Sequence, residues 1–251
     1  MPAGLALGLL LLPLIALIVR APWATLPSLL AQPTVAQALG LSLATASAST
    51  VVCLVLGIPL ALVLARSAQW PAIPRRLLRS LISVPLVLPP VVGGVALLLL
   101  LGRRGLIGQW LPFTIPFTPA AVVIAQVFVS MPFLVIAVEG ALRASDRRFE
   151  VAAATLGASR FTVLRRITLP LVAPGIASGA LLCFTRSLGE FGATITFAGS
   201  FPGTTQTLPI STYLLLQTDP NAAIALSLVL MVVSVAVLLS LRDRWVPGMV
   251  S

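Results

Sequence analysis

Six long apolar stretches separated by short polar segments dominate the chain: residues 3–19, 39–65, 80–101, 119–138, 169–188 and 222–241. A lipid hydrocarbon layer of about 30 Å needs roughly 20 apolar residues of helix, so each stretch predicts a membrane-spanning helix. The first also has the size of a signal-peptide core. No basic region precedes it, however, and APWATLPSLL after Arg20 makes a poor cleavage site, so it is read as a span. The pattern predicts an all-α membrane protein with six transmembrane helices. No stretch is polar enough for a second domain, which makes residues 1–251 one transmembrane domain.

The polar segments orient the spans. Arg66, Arg75, Arg76, Arg79, Arg143, Arg147, Arg148, Arg160, Arg165, Arg166, Arg242 and Arg244 fall on one side, and only Arg20, Arg103 and Arg104 on the other. Twelve against three places both termini and the loops at 66–79 and 139–168 in the cytoplasm, since basic residues stay on that side. Prolines Pro59, Pro85, Pro89, Pro90, Pro132, Pro170 and Pro174 lie inside or at the ends of spans, where each removes a backbone donor. They read either as helix-end punctuation or as kinks. Ser42, Ala44, Ala46, Ser47, Ala48 and Ser49 form a run of small residues along the second span that lets helices approach closely.

Composition agrees and removes several chemistries. Hydrophobic residues make up 59% and charged residues 9% of the chain, with mean hydropathy +1.10, far from the quarter charged that is usual in soluble domains. All sixteen basic residues are arginine; lysine and histidine are absent. A Walker A phosphate loop needs its lysine, and Ser-His-Asp, Cys-His and HExxH sites need histidine. The chain therefore carries no standard ATP site and no recognisable catalytic or metal site. The net charge of +10 does not point to nucleic acid, because the arginines sit at span ends without the interleaved aromatics such binding uses. Cys53 and Cys183 fall within apolar stretches without CxxC spacing and read as buried free thiols.

One polar segment has a pattern of its own, EVAAATLGASRFTVLRRITLP, from Glu150 to Pro170. Ser145 or Asp146 can cap a short helix with Glu150 near its positive end. Phe149, Ala152, Ala153 and Leu156 share a helical face, small in the middle and bulky at its edges, ringed by Arg147, Arg148, Arg160, Arg165 and Arg166. Such a face suits a groove on a partner, or a helix lying in the lipid interface. The spacing of Ala152, Ala153 and Gly157, then nine residues, then Ile167, Leu169 and Pro170 resembles the cytoplasmic EAA coupling loop of ABC-importer permeases. The resemblance implies a loop at about 144–166 that grips a separate ATPase through Glu150, Ala152, Ala153, Leu156, Gly157, Arg160, Ile167, Leu169 and Pro170. There is one departure. The motif's glutamate usually precedes the alanines directly, where this chain has Val151, so Glu150 lies about 100° further round the helix.

The resemblance covers nearly the whole chain and is strongest from residue 131 onward. MPFLVIAVEGALRASDRRFEVAAATLGASR and TRSLGEFGATITFAGSFPGTTQTLPISTYLLLQ look like the permease of molybdate and tungstate ABC importers, with the sulfate permeases as near relatives. It implies a type I importer architecture, a homodimer, two cytoplasmic ATPase subunits that bind ATP and Mg, and an extracytoplasmic oxyanion-binding protein. The setting would be a bacterial or archaeal cytoplasmic membrane, and this chain would hold no cofactor. The implied cycle is alternating access. SVPLVLPPVVGG, with Pro89 and Pro90, would then bend a helix beside the path.

Arg186 and Glu190, charged and deep in a predicted span, read as an i,i+4 ion pair first and as path residues second. Thr194 and Thr196 are candidate path hydroxyls, and Thr204, Thr205 and Thr207 read rather as loop residues. A sulfate or thiosulfate importer is the alternative cargo reading. A channel or proton-coupled carrier without an ATPase is a competing class, but it has no use for the coupling loop, and only Glu139 and Glu190 are near membrane depth. A membrane enzyme would be limited to serine or thiol chemistry, with no base at a recognisable spacing.

Overall fold

The computed structural model describes residues 2–67 and 70–245; Met1, residues 68–69 and residues 246–251 lie outside it, as do the side chains of Arg242 and Arg244. Among the described residues every regular element is helical. The chain opens with α1 (Pro2–Val19), the short α2 (Leu26–Leu30) and the long α3 (Pro33–Arg66). Next come α4 (Ala72–Val87), α5 (Pro90–Leu101) and α6 (Pro119–Ala144). A polar connection holds α7 (Arg148–Thr155) and α8 (Arg160–Val163), and a π-helical turn at Leu164–Thr168 leads into α9 (Leu169–Leu171). The remaining helices are α10 (Ala173–Leu188), α11 (Gly192–Ala198), α12 (Leu208–Thr218) and α13 (Pro220–Trp245).

Helices α1, α3, α6 and α13 are each long and apolar enough to cross a membrane. The other two expected spans are each built from a bent pair of helices. The stretch 80–101 is divided between α4 and α5, which meet at 113°. Leu88 precedes Pro89 and Pro89 precedes Pro90, and a residue before proline is pushed out of the helical region. Both are extended, at ψ 130° in each case, so two consecutive residues cannot continue the helix. The stretch 169–188 belongs to a helix that begins at Arg160 and bends by 68° between Leu171 and Ala173, where Pro174 has no N–H to give the Pro170 carbonyl. Pro59 and Pro132 lie inside unbroken helices. Counting each bent pair once gives six candidate spans.

The core forms where α3, α6 and α10 pack together. Leu134 of α6 is fully buried and fills the space between Gly57 of α3 and Gly179 of α10. A Cβ at Gly57 would lie 2.7 Å from the Leu134 side chain, and one at Gly179 would lie 3.1 Å from it. Only glycine lets both helices come this close. On α3 the buried stripe runs through Ser42, Ala46, Ser49, Cys53, Gly57 and Ala61. Ala44, Ser47 and Ala48, expected to share in the close approach, face outward instead, because a run of consecutive small residues winds round the helix and only every third or fourth meets one neighbour.

At about 1.5 Å per residue, the 34 residues of α3 exceed the hydrocarbon thickness, so its arginine end projects beyond it. None of the residues of α4 is buried, and an ion triad ties α4 to the core. Glu139, with a side chain 2% exposed, lies 3.3 Å from Arg79 of α4 and 2.8 Å from Arg143 one turn along α6. Phe197, Ala193 and Leu97 form a second cluster that packs α11 against α5 and α6.

Replacing Leu134 by alanine removes the wedge without relieving any strain. We expect Leu134→Ala to cost about 2–4 kcal/mol and to lower the thermal midpoint of the purified protein. The same change at exposed Leu99 should leave the midpoint nearly unmoved.

Candidate functional site

The polar connection folds into a helix, a turn and a second helix for local reasons. The Asp146 carboxylate accepts the Arg148 N–H at 2.9 Å, so Asp146 caps the first turn of α7, as expected of it. Ser145 turns back instead, donating to the Leu142 carbonyl at 2.8 Å. The helix ends at Gly157, whose φ of 82° is in the left-handed region. There Ala158 N–H donates to the Ala153 carbonyl at 3.0 Å and Gly157 N–H to that of Ala154 at 3.0 Å, the paired bonds that close a helix on glycine. Nothing lies near the Gly157 Cα, so the requirement for glycine is in the backbone alone. Ser159 then caps α8 by accepting the Thr162 N–H at 3.2 Å.

This turn gives α7 two distinct faces. Phe149, Ala152, Ala153 and Leu156 form one wall of an open groove of about 580 Å³, and Arg166, Ile167, Pro170 and Leu171 form the other. The groove is apolar and accessible: Phe149 is 58% and Leu156 88% exposed. The motif residues Ala152, Ala153, Ile167 and Pro170 thus meet in space, while Gly157 sets the angle between the two walls. Leu169 and Arg160 do not line this groove.

Glu150 lies on the opposite face. Its carboxylate accepts the Thr168 hydroxyl at 2.6 Å, so it braces α7 against the helix leading into α10. The 100° offset expected from its position one residue early has this consequence. Thr168 was not singled out from sequence; it is buried at the end of the π-helical turn, and nothing in a linear pattern foretells the turn that sets its direction.

The deeper candidates are placed as follows. Pro89 and Pro90 stand at the α4–α5 break. Arg186 and Glu190 approach to 2.6 Å, and the Glu190 carboxylate also accepts the Ala193 N–H at 2.8 Å, capping α11. Glu190 is 1% exposed. Thr194 is enclosed within the chain, and Thr196 donates to the Gly192 carbonyl at 2.8 Å. Thr205 and Thr207 are buried in the loop before α12, with Thr205 accepting the Phe201 N–H at 2.9 Å.

A buried hydroxyl–thiol cluster was missed from sequence. Ser130 of α6 accepts from Ser187 at 3.0 Å and from Cys183 at 3.3 Å, both on α10, and Ser49 of α3 donates to Ser187 at 2.9 Å. Gln126 adds a bond to Thr45 at 3.2 Å. Small polar residues inside apolar spans were the available signal. Among the described residues no group of histidine, cysteine, aspartate or glutamate could hold a metal ion.

Thr168→Val keeps the side-chain volume and removes the donor to Glu150. Amide hydrogen exchange across 148–158 should accelerate about five- to tenfold, in keeping with the loss of a bond worth about 1–1.5 kcal/mol. Unchanged exchange would show that α7 is held by other contacts.

Residues 57–247 match the family described as binding-protein-dependent transport system inner membrane component. Over 247 residues the chain is 53% identical to the molybdenum transport system permease protein ModB of Mycobacterium tuberculosis, covering 97% of this chain and 92% of that protein. It is 34% identical over 241 residues to the sulfate transport system permease protein CysT of Escherichia coli, covering 93% and 86%. A bacterial ABC transporter that imports alginate shares the fold, with a TM-score of 0.73 and 17% identity over 99% of this chain and 94% of that one. The alginate transporter in complex with its alginate pentasaccharide-bound periplasmic protein gives a TM-score of 0.65 at 17% identity, over 98% and 96%.

Proposed function

The chain belongs to the family of binding-protein-dependent transport system inner membrane components, and from that premise we propose that it is the permease of an ABC importer that carries molybdate. The identity of 53% to a molybdenum permease along nearly its whole length carries this reading, and the 34% identity to a sulfate permease sets sulfate behind it. The chain is a multi-pass component of the inner membrane, and a binding protein hands it the oxyanion.

Two further partners belong to this reading, one supported by the surface of α7 and one by α1. A cytoplasmic ATPase docks in the groove between Phe149, Leu156 and Ile167, and a second copy of the chain completes the path. The exposed apolar groove supports the first. The second is supported by α1, which buries none of its residues within one chain. The arginine-rich end, with the groove, faces the cytoplasm and ATP. ATP and Mg bind on the ATPase, since this chain has no lysine for a phosphate loop.

The geometry supports a route for coupling. Closure of the ATPase subunits moves α7. The Glu150–Thr168 contact and the Ile167 wall pass that movement to α10, because both are on the helix that bends into it. The permease then turns outward and takes the oxyanion from the binding protein; hydrolysis resets it. A ligand shifts such an equilibrium only through unequal affinity for the two states. The Arg186–Glu190 pair is a structural brace in this account, and cargo selectivity resides in the binding protein.

The deciding experiment is oxyanion-dependent ATP hydrolysis by the chain reconstituted with its ATPase and binding protein, comparing molybdate, tungstate and sulfate. Molybdate should stimulate, and Gly157→Asp, which forces a side chain into the left-handed turn, should reduce that stimulation about five- to thirtyfold, as expected from about 1–2 kcal/mol of backbone strain at the docking turn. Stimulation by sulfate alone would change the cargo, and molybdate flux into liposomes without any ATPase would replace the importer by a channel. Arg186→Ala should lower stability while leaving the order of the three anions unchanged.

A further inference from the structure

Behind α7, on the face turned away from the docking groove, two adjoining cavities of about 340 and 410 Å³ share Arg66, Arg147 and Glu150. Arg66 ends α3, Arg147 precedes α7, and Arg160, lining the second cavity, opens α8. Three separate elements therefore bring exposed arginines to the lining of these adjoining cavities. None of these three arginines has an ion-pair partner among the described residues. Arg143 also lines the first cavity, but it is paired at 2.8 Å with Glu139, which it shares with Arg79.

Glu150 is the carboxylate inside, and it is occupied by the Thr168 hydroxyl instead of by an arginine. Three unpaired guanidinium charges against one carboxylate leave +2 within the joined space. Its floor is apolar, formed by Leu62, Ala65 and Leu142 on one side and Val163 and Leu164 on the other. Guanidinium groups bind planar or tetrahedral oxyanions through paired N–H donors. Arginine clusters at the cytoplasmic ends of spans attract anionic headgroups.

We propose that these cavities form a binding site for a tetrahedral oxyanion of the phosphate class, held by Arg66, Arg147 and Arg160 between α3, α7 and α8. The anion is supplied either by the headgroup of an anionic phospholipid, whose glycerol and first methylenes would lie on the Leu62–Leu142 floor, or by a free oxyanion. Bound there, it offsets one of the two excess charges as a lipid phosphodiester, or both as a divalent oxyanion, and clamps α7 to the ends of α3 and α6 from the side opposite the groove. The site is distinct from the ATPase surface because residues 147, 150, 151 and 154 face it, whereas 149, 152, 153 and 156 face the groove.

The test uses the full-length chain and does not depend on transport. Purified from membranes rich in phosphatidylglycerol and washed in detergent, the protein is weighed intact by native mass spectrometry to count retained anionic lipid. In a second arm the chain is placed in phosphatidylcholine nanodiscs and titrated with labelled phosphate and labelled molybdate. Arg66→Gln and Arg147→Gln are compared with Arg76→Gln, an equal change of charge at an exposed position on α4 away from the cavities. Retention of phosphatidylglycerol that falls about fivefold or more in the two cavity variants, the loss of about 1 kcal/mol per arginine, and persists in Arg76→Gln identifies a headgroup site. Saturable binding of phosphate or molybdate with the same pattern identifies a site for free oxyanions. The proposal is overturned if neither ligand is held, or if all three variants lose it equally.

Discussion

Everything else in this protein hangs from the close approach of α3, α6 and α10 around Leu134. In lipid there is little hydrophobic drive to bring helices together, because the tails are as apolar as the side chains. Contact has to come from shape and from hydrogen bonds that lipid cannot supply. Gly57 and Gly179 provide the first by letting one leucine fill the gap between two helices. Ser130, joined to Ser187 and Cys183, and through Ser187 to Ser49, provides the second a turn away. A rigid three-helix core results, to which the remaining elements are attached by fewer contacts.

Those attachments are where movement can be transmitted. α4 is held to the core through the Arg79–Glu139 pair and the packing of Leu78 and Ile82, and it parts from α5 at the extended pair Leu88 and Pro89. α7 is held through Glu150 and Thr168. Each link includes a polar contact near the arginine-rich end, which can be remade in a second arrangement more readily than an interlocked core. The coupling proposed above uses this division: a packed body to move and a few specific handles by which to move it.

The two faces of α7 show how much one short helix can carry. Its apolar face has nothing among the described residues to cover it, while its polar face closes on arginines from other helices. Eight residues suffice because the termini are capped, by Asp146 at one end and by the left-handed Gly157 at the other. An isolated helix of that length is marginal in water, so its orientation depends on these caps and on the contact to Thr168.

Sequence alone determined the helical membrane class and the six apolar stretches, which the structure holds as four long helices and two bent pairs, and it displayed the arginine asymmetry and the motif spacing. These properties are local: span length, charge placement and motif spacing are one-dimensional quantities. The resemblance carried by the segments from residue 131 onward also led to the molybdate permease family, which 53% identity to a molybdenum permease bears out. What only the tertiary structure decided depends on distances between segments remote in the chain. Residues 83–94 read as able to bend; that two consecutive pre-proline residues would turn the helix by 113° could not be read off. Glu150 could be seen to be one residue early, but its partner is eighteen residues on, across a π turn. The serine cluster joins positions 49, 130 and 187, and the unpaired arginines gather from 66, 147 and 160. A pattern along the chain reports which side chains share a helix face, and packing alone reports what that face meets.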